Sequence, residues 1–219
     1  MKAEWLARYR FVRFQVLFAL LITTIVVQPV LHTIGLSGRL LDAFLVASLL
    51  AAGFGGLGLG RGIAILVLVL LFVASRLLAV TRDAAGIATT ASDAAVALAS
   101  VLAAIAALRE ALRDGPVTRE RLYAAIDVYL LAGVAFGLTY HGLSRMQPGA
   151  LVAAGSTVPL GIETAIYFSF VTLATLGYGD VVPATPIARS LAICEAVGAQ
   201  LFVAVLIARL VSLQSRSRP

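Results

Sequence analysis

The chain has 219 residues, of which 61% are hydrophobic and only 13% charged, with a mean hydropathy of +1.00. A soluble domain carries about 25% charged residues, so this composition excludes an ordinary soluble protein and points to one embedded in a lipid bilayer. The formal charge of +6 comes without a basic stripe interleaved with aromatics, so no nucleic-acid partner is expected. The single cysteine, Cys194, excludes an internal disulfide.

A helix needs about 20 apolar residues to cross roughly 30 Å of hydrocarbon. The first candidate is 14–34. Basic residues from Lys2 to Arg13 precede it as in a secretory signal, but the run is long, contains Gln28 and Pro29, and lacks an A-x-A cleavage site. It is expected to be a retained helix. Spans at 40–58, 62–80 and 85–107 follow. The stretch GFGGLG at 53–58 has the G-x-G-x-x-G form, yet no strand precedes it, so a loop with close helix packing is expected rather than a nucleotide site. REALRDGPVTRERL at 109–122 is the one sustained polar stretch. It divides residues 1–114, four N-terminal helices, from 115–219. The second part holds spans at 122–142 and 188–212. Between them an apolar run at 162–174 would reach only about 18 Å as a helix, too short to cross. A re-entrant helix is predicted there.

With the N-terminus inside, twelve of the 17 lysines and arginines fall on the inner side. That bias predicts cytoplasmic N- and C-termini and an outward-facing TLGYGD stretch. Charged groups within spans cost about 2.5–3.5 kcal/mol each at mid-membrane, so Asp93, Asp127, Glu195 and Arg76 should face protein or water. Asp93 and Arg76 are a candidate pair. Glu195 is expected either behind the re-entrant helix or toward a cavity, in a structural role. His32 and His141 have no second ligand at metal spacing and read as interfacial residues.

The residues that carry a specific signal are Thr175-Leu176-Gly177-Tyr178-Gly179-Asp180. Glycines at alternate positions open backbone conformations closed to other residues. They can turn successive carbonyl oxygens to one side, and such a column can replace the water shell of a monovalent cation. Non-helical backbone at membrane depth is tolerated where it lines a cavity or is buried in protein. Ser156, Thr157 and Pro159 offer helix-start chemistry before the short run, and Glu163 lies in its first turn.

This stretch resembles the selectivity filter of potassium channels, usually T-V-G-Y-G followed by Asp, and the likeness extends over roughly residues 120–212. The resemblance implies an all-α membrane protein with six transmembrane helices, a pore helix at 162–174, a filter at 175–180 and an inner helix at 188–212. One filter copy per chain implies a homotetramer. It also implies K+ coordination by Thr175, Leu176, Gly177 and Tyr178, with Gly179 permitting the turn out of the filter. Support is expected from Asp180, Tyr167, Phe168, Val171 and Thr172, with Tyr167, Phe168 and Phe170 as an aromatic cuff. Val171 stands where some members carry a glutamate, which leaves Tyr167 as the pore-helix partner for Asp180. Gly198 stands one residue before the usual hinge glycine, and hinge and close-packing readings are both open.

The implied activity is passive K+ conduction with no cofactor and no enzyme chemistry; compactness and an Ala/Arg/Gly-rich composition suggest a multi-pass protein of a prokaryotic inner membrane. A weakly selective monovalent cation channel and a transporter are the alternatives. Span 85–107 carries no arginine or lysine, so no voltage sensor is expected. Ten residues follow Arg209, and no fused cytoplasmic domain is expected.

Overall fold

The computed structural model describes residues 13–26, 67, 85–113 and 118–216. Within them lie helices α1 (Arg13–Val26), α2 (Ala85–Ala111) and α3 (Arg119–Met146), strand β1 (Leu151–Ala153), the short helix α4 (Ile162–Leu173), strand β2 (Val181–Pro183) and helix α5 (Pro186–Arg216). Three segments among the described residues are long and apolar enough to cross a membrane: Asp93–Ala111, Arg119–Met146 and Pro186–Ser212. Helix α4 is apolar but has only 12 residues. The expected spans at 40–58 and 62–80, the end of 14–34, the GFGGLG stretch, His32 and Arg76 lie outside the described residues. The long helices α2, α3 and α5 overrun the expected ends, whereas α4 ends at Leu173, within one residue of its expected end. The hydropathic core defines each span, while polar residues such as Arg119 and Arg145 continue the helix beyond it.

The chain divides into two compact units. The first comprises residues 1–73 and 98–131. Phe14, Leu17 and Leu21 of α1 are buried, as are Ala99, Ala103 and Ala107 of α2. Alanines four apart form a smooth stripe that lets helices approach closely. Arg13 sits 3.0 Å from Glu110 and 3.7 Å from Glu120, so the entry to α1 is tied to the end of α2 and the start of α3. Phe18 packs on Tyr123 with ring centroids 5.4 Å apart.

The second unit comprises residues 74–97 and 132–219. Its core gathers Tyr140, Ala150, Leu151, Leu160, Ala165, Phe168, Val181 and Ala188. β1 and β2 pair antiparallel, with Leu151 opposite Pro183 and Ala153 opposite Val181. The Ala184 amide donates to the Ala150 carbonyl at 2.9 Å, extending the clamp. The entry to α4 differs from expectation. Its N-cap is Gly161, with no side-chain cap. Ser156 and Thr157 belong instead to the turn after β1, where the Ser156 hydroxyl accepts the Val158 amide at 3.3 Å. The Leu160 amide is taken by the Ser144 hydroxyl of α3 at 3.1 Å. Glu163 is in the first turn, as its charge favours.

Asp93 is buried, and its Oδ2 lies 3.3 Å from His141 Nε2. The other ring nitrogen, Nδ1, is 2.8 Å from the Leu160 carbonyl. His141 is therefore a buried residue that ties α2, α3 and the approach to α4 together, rather than an interfacial one. The sequence offered no link between positions 93 and 141.

Candidate functional site

The site is built on the way α4 ends. Ala174 is the C-cap, and the next residue, Thr175, is left-handed at φ +58°. The Thr175 amide donates to the Thr172 carbonyl at 2.9 Å, and the Leu176 amide to the Val171 carbonyl at 2.9 Å. These two bonds make a Schellman motif, which normally places glycine at the left-handed position. A β-branched residue there is a backbone outlier, and such strain persists where surrounding bonds over-determine it. The same two bonds assign roles to Val171 and Thr172: their carbonyls anchor the start of the stretch that follows.

The left-handed conformation then recurs at every second residue. Thr175 and Gly177 both have φ +58°, and Gly179 has φ +81°, while Leu176 and Tyr178 between them are not left-handed. A strand with uniform φ points its carbonyls alternately to opposite sides. Alternating handedness cancels that reversal and lets consecutive carbonyls share a side, an arrangement suited to a bare cation. Glycine is required at 177 and 179 for this reason.

The far end is also fastened. The Asp180 carbonyl accepts the Ala154 amide at 3.1 Å, and Asp180 Oδ1 accepts the Val181 amide at 3.0 Å. The Tyr167 hydroxyl hydrogen-bonds the Asp180 carboxylate, and this contact raises the phenol pKa above its ordinary value. The partner that the sequence left for Asp180 is the one it has.

The three aromatics of α4 do not act together. Tyr167 is exposed on the side of Asp180. Phe168 is buried edge-on against Tyr140, with centroids 4.9 Å apart. Phe170 lies over Gly133 of α3. Consecutive helical residues are about 100° apart, so Tyr167 and Phe168 face different ways. Phe168 and Phe170 are packing residues on α3, and the cuff reduces to Tyr167 within one chain.

Sequence reading missed how α4 docks. A Cβ placed on Gly133 would lie 2.6 Å from the Phe170 ring, and one on Gly137 would lie 2.7 Å from Ile166 Cα. Ile166, Ser169 and Phe170 form an i, i+3, i+4 stripe seated on Gly133-x-x-x-Gly137, the small-xxx-small pattern of close helix approach. The Ser169 hydroxyl is 2.8 Å from the Gly133 carbonyl. The signal was present as GVAFG at 133–137. Glu195 is fully buried behind α4, hydrogen-bonded to Tyr140 and Ser169.

In the single chain the stretch from Ala174 to Asp180 is exposed, Leu176 at 55% and Tyr178 at 65%. Helix α5 is bare as well: its apolar window is only 11% buried, with Ile193, Val197, Leu201 and Val205 uncovered. Gly198 lies within this unbroken helix, and an added Cβ there would meet nothing within 4 Å. No described residue of the same chain packs against it. Among the described residues no group of three or more histidine, cysteine, aspartate or glutamate side chains could hold a metal ion.

Comparison with known proteins bears on the same residues. Residues 125–215 match the family described as "Ion channel". The "Two pore potassium channel c" of Oryza sativa subsp. japonica is 40% identical over 86 residues. The match covers 39% of this chain and 18% of the rice protein, so it spans less than a fifth of that relative's length. No solved structure matches the chain. The C-terminal part is thus similar to ion channels, and this relative is a potassium channel.

Proposed function

We propose that this chain is one subunit of a potassium-selective channel, conducting K+ passively through a filter formed by Thr175 to Gly179. The observation that carries this reading is the alternation of left-handed residues at 175, 177 and 179. K+ is the transported ion, held by the carbonyls of Thr175, Leu176, Gly177 and Tyr178 and by the Thr175 hydroxyl. A single column of oxygens on one side of an ion leaves the other sides open, and four copies around an axis close the shell. The exposed filter and bare α5 fit burial against three further copies and lipid. α4 directs its negative helix end toward the ion path.

The remaining features of the reading rest on the sequence and on the resemblance it carries. The subunit has six transmembrane helices, both termini are cytoplasmic, and the membrane is a prokaryotic inner membrane. Gly198 serves as a hinge in the inner helix, and no cofactor takes part. Mass measurement of the full-length protein in mild detergent or native lipid is expected to give a tetramer. A monomer or dimer would contradict the shared filter.

Voltage dependence is expected to be weak. The segment Ala85–Ala107 carries no basic residue, and each gating charge supplies about 2.3 kcal/mol per 100 mV. Macroscopic conductance in symmetric potassium should change shallowly between strongly negative and positive potentials. A steep sigmoid would reveal a sensor elsewhere in the chain.

A further inference from the structure

Behind α4 the hydrogen-bond arithmetic identifies a proton. Glu195 Oε2 accepts the Tyr140 hydroxyl at 2.8 Å. Its Oε1 is hydrogen-bonded to the Ser169 hydroxyl, and that same hydroxyl is 2.8 Å from the Gly133 carbonyl. Three contacts require three protons. A carbonyl only accepts, so the contact to Gly133 takes the single proton of Ser169. The contact between Ser169 Oγ and Oε1 is then a hydrogen bond only if Glu195 supplies the proton. An ionised Glu195 leaves two oxygens facing each other with nothing between them, in a position 1% exposed.

Among the described residues no cation faces such a charge. The groups facing Glu195 are the Tyr140 phenol of α3 and the Ser169 hydroxyl of α4. β2, packed against α5, carries no titratable side chain. On its own helix the neighbouring Cys194 is exposed. A buried charge without a partner costs far more than a buried neutral acid with every oxygen satisfied.

We propose that Glu195 is held as the neutral acid and is a positioning residue for the filter, its proton latching inner helix α5 to the back of α4. The helix it holds is the one whose last carbonyls anchor Thr175 and Leu176. Ionisation removes the donor to Ser169, loosens α4 from α5, and lets the strained start of the filter relax. The consequence for conduction rests on the channel reading above, whereas the protonation state does not.

The test uses the full-length protein in liposomes, comparing it with Glu195→Gln and Glu195→Ala. Glutamine can donate to Ser169 and accept from Tyr140 without titrating. The infrared difference spectrum between the parent and Glu195→Gln should show a protonated carboxyl band at neutral pH that disappears on alkaline titration. Potassium flux of the parent should fall about tenfold as that band is lost, the scale of one buried unsatisfied group. Flux through Glu195→Gln should match the parent at neutral pH and stay flat, while Glu195→Ala loses it. Absence of the band would overturn the proposal, whatever the protein conducts. A present band with parallel flux curves for parent and Glu195→Gln would overturn the positioning role. A present band with no potassium flux from the parent would instead refute the channel reading and leave the proton assigned.

Discussion

Gly177→Ala is expected to abolish potassium-selective flux while leaving the subunit folded. Gly177 sits at φ +58°, and an added Cβ would meet nothing within 4 Å in the chain. The penalty is therefore backbone strain, about 1–2 kcal/mol for an L-residue in the left-handed region. Thr175 bears the same angle but is held there by its Schellman bonds to α4. Alanine at 177 can relieve its strain by leaving the left-handed region, which rotates the peptide planes on either side. In the proposed tetramer that would move carbonyls from four chains at once. Gly161→Ala is the control. Gly161 has φ −61° and open space around it, so flux should be unchanged. Radiotracer potassium uptake into liposomes checks both variants, with circular dichroism to verify folding. Selective uptake by Gly177→Ala would show that the alternating backbone is not what holds the ion.

Gly137→Ala should destabilise the protein more than Gly133→Ala. Both glycines let α4 lie against α3, but what each faces differs. A methyl group at 137 meets Ile166 Cα at 2.7 Å, which is backbone and can yield only if α4 moves. At 133 it meets the Cε1 and Cζ atoms at the end of the Phe170 side chain, which can swing aside. Overpacking of this kind costs about 1–3 kcal/mol, and the upper part of that range is expected at 137. Thermal unfolding in detergent should show a clearly lower midpoint for Gly137→Ala and a smaller shift for Gly133→Ala. Equal shifts, or the reverse order, would show that α4 is not seated on this pair.

Much of this arrangement could be read from the chain before its structure was known. Hydropathy separated a run too short to cross from the long spans beside it, because length alone distinguishes them. Asp180 and Tyr167 could be paired because they flank the filter-like stretch and position 171 holds valine. Other features depended on facts that a linear string does not display. Whether Ser156 caps α4 or closes the turn after β1 depends on where the helix begins, and Gly161 took that place. Phe168 and Phe170 look like neighbours of Tyr167, yet their rings pack on Tyr140 and Gly133 of α3. Asp93 found His141 through tertiary contact between segments far apart in sequence. Gly133-x-x-x-Gly137 was legible as a motif, but only the structure shows that α4 is its partner.

The central claim is that the backbone from Thr175 to Gly179 selects potassium. Its most direct test is the reversal potential of purified full-length protein in a planar bilayer, with potassium on one side and sodium on the other. A reversal potential set by the potassium gradient, and lost in Gly177→Ala, is the predicted result. A value near zero, with sodium and potassium passing comparably, would contradict it.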